Sequence, residues 1–258
     1  LVDYKVIVLA MDAKHISSRL QELLKDDNNS LKVDDAAKIV GCWKALSKQG
    51  THEELIGDTD PMRRAVAFCQ VIEANNKARQ HKVSSKNIAS MFADVVEAYK
   101  ASEIESTFET EAALPPSLML KCEANHVDGG MNASTKEEKL NWLKAQADAD
   151  TCRILSNVRC LSEGVDLPAL DAVLFLTPRN SQVDVVQSVG RVMRLAPNKT
   201  RGYVILPVVI PPNVDANKAL DDNQTYKVVW QVLNALRSHD DRFDAMVNKM
   251  DINGIDRS

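Results

Sequence analysis

Short apolar runs alternate along this chain with segments in which apolar side chains recur every three or four residues. The runs are bounded by polar or turn-forming residues and contain many β-branched side chains, so they predict β-strands. The predicted strands cover residues 4–10, 64–69, 121–128, 153–156, 172–176 and 203–210. The three- and four-residue spacing predicts helices over residues 33–48, 85–99, 181–194 and 223–250.

Alternating strands and helices predict an α/β fold, in which a parallel sheet carries helices on both faces. Right-handed crossovers would bring the carboxyl ends of all strands to one edge of the sheet, where ligands bind in folds of this class. We expect an N-terminal strand and helices packed on the domain over 1–60, the sheet domain itself over 61–212, and a C-terminal helical segment over 213–258.

Two local patterns add detail to this outline. Ser134 and Glu137 have the spacing of a capping box, which predicts that a helix begins there. Residues 101–117 are acidic and end at two prolines, which predicts a solvated surface loop or a short helix.

Composition is typical of a globular protein, with 258 residues of which 45% are hydrophobic and 26% charged. No apolar run approaches the roughly 20 residues that cross a bilayer, and no signal-peptide pattern opens the chain. The five cysteines include no C-x-x-C pair, which favours buried, reduced thiols in a cytoplasmic protein. Because the chain begins at Leu1, almost inside a strand, we expect it to be a piece of a longer protein.

The charge balance limits how this chain could bind nucleic acid. A net charge of −4 argues against binding through bulk positive charge. A local groove stays possible, because a few amides, hydroxyls and arginines are enough to hold a nucleic-acid backbone.

The segment with the clearest chemistry is 187–194, which reads Q-S-V-G-R-V-M-R. On a helix, Gln187, Gly190, Arg191 and Arg194 lie three or four positions apart and share a face. Guanidinium groups are planar donors that match phosphate oxygens, so the two arginines are candidates for binding a phosphate chain. The alternative is that both arginines are solvated helix charges that pair with local acids.

A second segment supports the phosphate interpretation. Residues 159–168 read R-C-L-S-E-G-V-D-L-P and precede the predicted strand 172–176. Gly164 permits a turn, Asp166 can accept hydrogen bonds from a ribose hydroxyl, and Ser162 offers a hydroxyl to a phosphate. The two segments in this order, about twenty residues apart, form a stronger signal than either alone.

Together they resemble motifs V and VI of the superfamily 2 helicases, with residues 64–69 similar to motif IV and 126–129 similar to the strand-end element after it. The resemblance implies a RecA-like domain, related to the P-loop NTPases, that is the second of two motor domains. It implies that Arg191 and Arg194 reach the phosphates of ATP, with Arg194 as the arginine finger and Gln187 on the nucleotide side of the cleft.

The same resemblance implies further roles near a nucleic acid. Gly164 and Asp166 would lie at the nucleotide and couple it to the nucleic-acid track. The residues near the nucleic-acid backbone would be Ser156, Asn157, Arg159 and Ser162.

A narrower likeness involves residues 158–166, 181–187 and 202–211, together with the opening residues 3–9. These segments are similar to the large bacterial helicase-like proteins that include type ISP restriction–modification enzymes. That family joins a nuclease, a DNA translocase and a methyltransferase in one polypeptide. The likeness therefore implies duplex DNA as the partner, and nuclease and methyltransferase domains in the same chain.

Two sequence elements of a complete ATPase are missing from these 258 residues. There is no G-x-x-x-x-G-K-[ST] loop to hold the phosphates, and no D-E-x-[DH] strand end to hold Mg²⁺. We therefore expect a first motor domain to supply most of the ATP and Mg²⁺ site, and we expect this chain alone to be inactive.

Three alternatives stay open at this level. The fold could serve as a non-catalytic module that docks nucleic acid or protein, or it could belong to an RNA helicase. The tryptophans could stack on bases, although core or docking roles fit their helical positions better; they are Trp43, Trp142 and Trp230.

Overall fold

A computed structural model describes residues 2–12, 18–25, 31–49, 58–75, 82–109, 116–161, 167, 170–177, 182–197 and 199–210. The strands are β1 (Asp3–Asp12), β2 (Arg64–Phe68), β3 (Lys121–His126), β4 (Thr151–Asn157), β5 (Ala172–Phe175) and β6 (Arg201–Ile210). The helices are α1 (Ser18–Lys25), α2 (Val33–Leu46), α3 (Ser85–Glu109), α4 (Ala133–Lys144) and α5 (Gln182–Val192). The predicted helix 223–250 lies outside the described residues.

The strands form one six-stranded sheet in the order β1-β6-β5-β2-β4-β3. Each neighbouring pair runs parallel. The first strand, β1, pairs with β6 over its whole length, so residues near the start of the chain belong to the same sheet as the later strands.

Apart from the edge strand β3, successive residues of each strand contribute to different apolar clusters, because side chains alternate between the faces of a sheet. In β2, Ala65 and Ala67 belong to the cluster that includes α1, α2 and α3. Val66 and Phe68 belong to the cluster that includes α4 and α5. The sheet therefore has helices on both faces, which confirms the predicted RecA-like α/β architecture.

Two local predictions were wrong. The acidic stretch from residue 101 is not a separate loop or short helix, since α3 continues through it to Glu109. Ser134 does not cap α4, because the helix begins at Ala133 and the side chain of Asn132 accepts a hydrogen bond from the amide of Thr135 at 2.8 Å. Asparagine is among the best N-cap residues, and its amide oxygen leaves no capping role for Ser134.

Candidate functional site

The helix α5 carries the arginine segment and packs on the sheet through one apolar stripe. Val185, Val189 and Val192 are buried in the cluster on that face of the sheet. The opposite side of the helix exposes Gln187 and Gly190. The three- and four-residue spacing that predicted the helix therefore also separates its buried side from its exposed side.

Gly190 lies on this exposed side of α5. Apart from its own helix backbone and its chain neighbours, a methyl group built at its Cα would meet no described atom within 4 Å. Within the described part of the chain, no other backbone therefore lies against α5 at this position.

The two arginines differ in their surroundings. Arg191, in the last turn of α5, is buried, with 8% of its surface exposed. Arg194 lies two residues beyond the helix end and is exposed. Its Nη1 donates a hydrogen bond to the carbonyl oxygen of Leu167 at 2.9 Å. The predicted helix 181–194 was thus slightly too long, and the second arginine projects from the turn after it.

The charge of Arg194 affects the protonation of Arg191. Burial lowers the pKa of the Arg191 guanidinium, and the nearby positive charge of Arg194 lowers it further. Both effects disfavour the charged form in the absence of an anion. A bound anion such as a phosphate would offset them.

Backbone contacts place the end of α5 at the amino-terminal edge of the sheet. The amide of Val2, just before β1, donates to the carbonyl of Met193 at 2.9 Å. At Gly202, near the start of β6, an added Cβ would lie 2.3 Å from the carbonyl oxygen of Val192. The arginines are therefore close to the beginnings of the strands.

This position differs from the expectation that ligand-binding residues gather at the carboxyl-terminal edge. The helix α5 follows β5 and returns toward the start of β6, so it runs opposite to the strands. Its 11 residues span about 16 Å, enough to carry Arg191 from one edge of the sheet to the other.

Ser156 and Asn157, at the end of β4, are fully buried. The hydroxyl of Ser156 donates to the carbonyl of Ser85 at 2.8 Å. The side-chain amide of Asn157 donates to the carbonyl of Ala67 at 3.2 Å. In this structure their side chains hold strands and α3 together and are enclosed by protein, so they have no surface to offer a nucleic acid. Arg159, two residues later, is exposed at this edge.

A buried polar network at this edge was not foreseen. Ser85, at the start of α3, lies 2.7 Å from Nδ1 of His126 and donates to the hydroxyl of Ser156 at 2.9 Å. Nε2 of His126 lies 2.8 Å from Oδ2 of Asp128. Because 41 residues separate Ser85 from His126, no local pattern in the sequence could reveal their contact.

The network continues into the turn after β3. The hydrogen bond with His126 lowers the pKa of Asp128, and the amides of Gly130 and Met131 contribute in the same direction. These amides donate to Oδ1 of Asp128 at 2.7 and 3.2 Å. The hydrogen bonds of this turn at the carboxyl-terminal edge therefore favour the charged form of Asp128.

Three predicted site residues, Ser162, Gly164 and Asp166, lie outside the described residues. Leu161 and Leu167, on either side of this stretch, are buried in the cluster beneath α4 and α5. The connection from β4 to β5 is thus anchored in the same apolar layer that α5 covers.

Trp43 and Trp142 are both in helices. Trp43 is completely buried, and its indole nitrogen donates to the carbonyl of Leu120 at 3.1 Å. The guanidinium of Arg153 lies 5.4 Å from the ring centre of Trp142. Trp43 is a core side chain in this structure, and Trp230 is outside the described residues.

Within the described ranges, no group of three His, Cys, Asp or Glu side chains is placed to hold a metal ion. In the same ranges, no helix combines the length and the apolar character that a membrane crossing requires.

Comparison with known proteins adds independent information. The family model described as the helicase conserved C-terminal domain matches residues 51–196. In a solved structure, the ATP-dependent type ISP restriction–modification enzyme LlaBIII bound to DNA, the similar region is 43% identical, with a TM-score of 0.77. That similarity covers 96% of this chain and 15% of the enzyme.

Two viral proteins described as helicases are also similar. The one from African swine fever virus is 36% identical over 90 residues, which is 35% of this chain and 10% of the relative. The one from Sulfolobus islandicus filamentous virus is 33% identical over 76 residues, which is 29% of this chain and 13% of the relative. The chain thus spans a small part of each relative's length.

Proposed function

This chain belongs to the helicase conserved C-terminal domain family, and on that premise we propose that it is the second motor domain of an ATP-dependent DNA translocase or helicase. In this proposal the chain supplies an arginine finger and part of the DNA-backbone track. The protein it serves would be a restriction–modification enzyme that also carries nuclease and methyltransferase domains.

The observation that carries this proposal is the pair of cations at the end of α5. Arg191 is buried beside the exposed Arg194, and the positive charge of Arg194 lowers the pKa of Arg191. An ATP triphosphate held by a first motor domain would neutralise both charges. Gln187 and the open position at Gly190 lie on the exposed side of the same helix, where that partner domain would approach.

ATP is the substrate in this scheme. A guanidinium aimed at the γ-phosphate stabilises the charge that spreads over the transferring group, an effect of about 10³–10⁵ in rate where GTPases have been measured. Mg²⁺ would be held mainly by the first motor domain. We expect the 258-residue chain alone to hydrolyse no ATP, with or without duplex DNA, because its sequence has no P-loop.

Duplex DNA is the proposed track. Support comes from the solved type ISP enzyme, which is bound to DNA and is 43% identical in this region. Arg159 is exposed at the carboxyl-terminal edge and is our candidate for a backbone contact. Ser156 and Asn157 would act indirectly, by holding the end of β4 in place, whereas Ser162, Gly164 and Asp166 keep their proposed roles at the track and the nucleotide.

The test is an Arg194→Ala substitution in the full-length protein. We expect loss of DNA-stimulated ATP turnover, because the transition state loses the positive charge of the proposed finger. Duplex DNA binding should be largely retained, because Arg194 lies at the opposite edge from Arg159. ATP hydrolysis and DNA affinity are measured in parallel, with Arg63→Ala as a matched substitution of another exposed arginine.

Unchanged DNA-stimulated hydrolysis in the Arg194→Ala protein would contradict the motor assignment and favour a non-catalytic docking module. The same assay with RNA in place of DNA distinguishes the remaining alternative. Stimulation by RNA and not by duplex DNA would identify the chain as part of an RNA helicase.

A further inference from the structure

Lys199 lies between α5 and β6 in the chain. No sequence motif indicated a role for it. Its ammonium group donates to the carbonyl oxygens of Leu170 at 2.6 Å and Arg194 at 3.1 Å, and also to that of Val192. An ammonium has three N–H donors, so three backbone carbonyls account for all of them. The group is committed to the protein's own main chain and is not offered to a ligand.

These carbonyls belong to two different parts of the fold. Val192 is the last residue of α5, and Arg194 is the proposed finger itself. Carbonyls at the end of a helix lack partners within the helix, and a cation there is favourable for the helix dipole. Leu170 belongs to the segment that leads into β5. One side chain thus joins the arginine segment to the connection between β4 and β5.

The side chain of Arg194 makes a second link to that connection. Its Nη1 donates to the carbonyl of Leu167, three residues before Leu170. The carbonyl of Arg194 therefore accepts a hydrogen bond from Lys199, while its guanidinium donates one to the carbonyl of Leu167. Loss of the first link would remove one of the contacts that fix the backbone of Arg194 relative to the second.

The carbonyl of Val192 is confined from another direction as well. At Gly202 an added Cβ would come within 2.3 Å of this oxygen, far inside van der Waals contact. Glycine is required there because the carbonyl fills the space that a side chain would use. The position of the helix end is thus determined jointly by the Lys199 ammonium and by the bare backbone at Gly202.

Burial opposes a charged side chain at this position, although the end of the helix favours one. Burial lowers the pKa of Lys199, against the opposing effect of the Asp171 carboxylate. Hydrogen bonds to three carbonyl oxygens offset the cost of burying this charge. The same hydrogen bonds fix the position of the helix end.

We infer that Lys199 is a positioning residue for the arginine finger, an inference that rests on the proposed function. It holds the backbone of Arg194 and the end of α5 at a set distance from Leu170, close to the Leu167 carbonyl that the Arg194 guanidinium contacts. A misplaced finger loses interactions in the transition state more than in the ground state, because the transferring phosphoryl group is where its charge is needed.

The experiment is Lys199→Met in the full-length protein, which keeps an unbranched stem and removes the donors. We expect kcat for DNA-stimulated ATP hydrolysis to fall about 10- to 100-fold, the range expected when a catalytic group is displaced by about 1 Å. KM for ATP should change less than about threefold. Affinity for ADP with aluminium fluoride, which mimics the transferring phosphoryl group, should fall by a similar factor to kcat, while affinity for ADP alone is unchanged.

Two further variants define the effect. Gly202→Ala places a methyl group where the Val192 carbonyl lies, so it should displace that carbonyl and reproduce the loss of kcat and of transition-state-analogue binding. Lys121→Met is the matched control, because Lys121 is an exposed lysine at the far edge strand β3. It should leave all four quantities unchanged.

If Lys199→Met does not fold, Lys199→Gln, which keeps two N–H donors, replaces it in the same measurements. The inference is overturned if kcat is unchanged in a folded variant, or if ADP and ADP–aluminium fluoride lose affinity equally. Arg194→Ala is measured alongside: if it leaves hydrolysis unchanged, the proposed function fails. If it abolishes hydrolysis while the Lys199 variants do not affect it, the role of Lys199 alone is wrong.

Discussion

Asp58, Lys48 and Tyr203 form a charged cluster where the end of α2 meets β6. The Lys48 ammonium and the Tyr203 hydroxyl both donate to the Asp58 carboxylate, and the ammonium lies 5.3 Å from the centre of the Tyr203 ring. Partial burial by itself would raise the pKa of Asp58, but the hydrogen bonds from Lys48 and Tyr203 and the charge of Arg201 lower it overall. The folded state therefore favours the charged carboxylate.

This cluster predicts a pH dependence of stability. A carboxyl group with a lowered folded pKa stabilises the fold above its unfolded pKa, about 4, and the contribution is lost as the pH falls through the folded pKa. Asp58→Asn should therefore lower the free energy of unfolding by about 1 kcal/mol at pH 7 and have less effect at pH 3. Urea denaturation at both pH values measures this.

Asp60→Asn is the control, because Asp60 is an exposed carboxylate two residues away. It should change stability little at either pH. An equal loss of stability at pH 3 and pH 7 in the Asp58→Asn chain would show that the charge of Asp58 is not what matters.

At the same scale, burial separates residues that look equivalent in the sequence. Arg191 and Arg194 belong to one motif, yet the first is 8% exposed and the second is exposed beyond the helix end. Ser156 and Arg159 were both predicted to lie near the nucleic-acid backbone, and the first is fully buried whereas the second is exposed. Residue type and spacing could not distinguish them, because exposure depends on neighbours distant in sequence.

At the scale of elements, two arginines secure the end of α4. The guanidinium of Arg64 donates to the carbonyls of Leu143 and Lys144 at 3.1 and 3.0 Å. That of Arg153 donates to the carbonyls of Trp142 and Ala145 at 2.8 and 3.2 Å. Strands β2 and β4 thus supply partners for the carbonyls that a helix leaves unsatisfied at its carboxyl end.

We therefore predict that Arg153→Met destabilises the chain by about 2 kcal/mol, because two helix carbonyls lose a charged donor and Glu123 loses its ion pair. The change in urea midpoint at constant slope is the measurement. Arg63→Met, at an exposed arginine, serves as the matched substitution and should have little effect. Equal midpoints for the two variants would mean that the carbonyl contacts of Arg153 do not stabilise α4.

The end of helix α3 was not predictable from the local sequence pattern. The acidic composition after residue 101 suggested a break, but Ile104 packs against the apolar core and α3 continues to Glu109. One turn of favourable packing outweighs a local preference of a few tenths of a kcal/mol per residue.

At the scale of the whole molecule, the sheet order determines which strands are most protected. β2 and β5 lie in the interior of the sheet, whereas β3 is an edge strand with alternating exposed and buried residues. Amides in interior strands open only when much of the fold opens. We predict protection factors at least about tenfold higher in β2 and β5 than in β3, which corresponds to about 1.4 kcal/mol.

Hydrogen–deuterium exchange followed by mass spectrometry tests this prediction on the 258-residue chain. Peptides from β6, which pairs on both sides with β1 and β5, provide an internal reference for an interior strand. Uniform protection across β2, β3 and β5 would indicate that the sheet opens as one unit and that its edge is no weaker than its centre.

At this scale, the proposed contacts with ATP and with DNA lie at opposite edges of the sheet. Arg191 and Arg194 are close to the beginnings of the strands. Arg159 is exposed at the edge where the strands end.

The sequence by itself determined the alternation of strands and helices, the parallel sheet, and the arginine motif with its family likeness, because these depend on periodicity and on short, contiguous patterns. Only the tertiary structure decided the order of the strands, the placement of the arginines at the amino-terminal edge, and the contacts of Ser85 and Lys199. These depend on which distant segments are packed together, and the free energy of that packing is shared among residues that no local pattern connects.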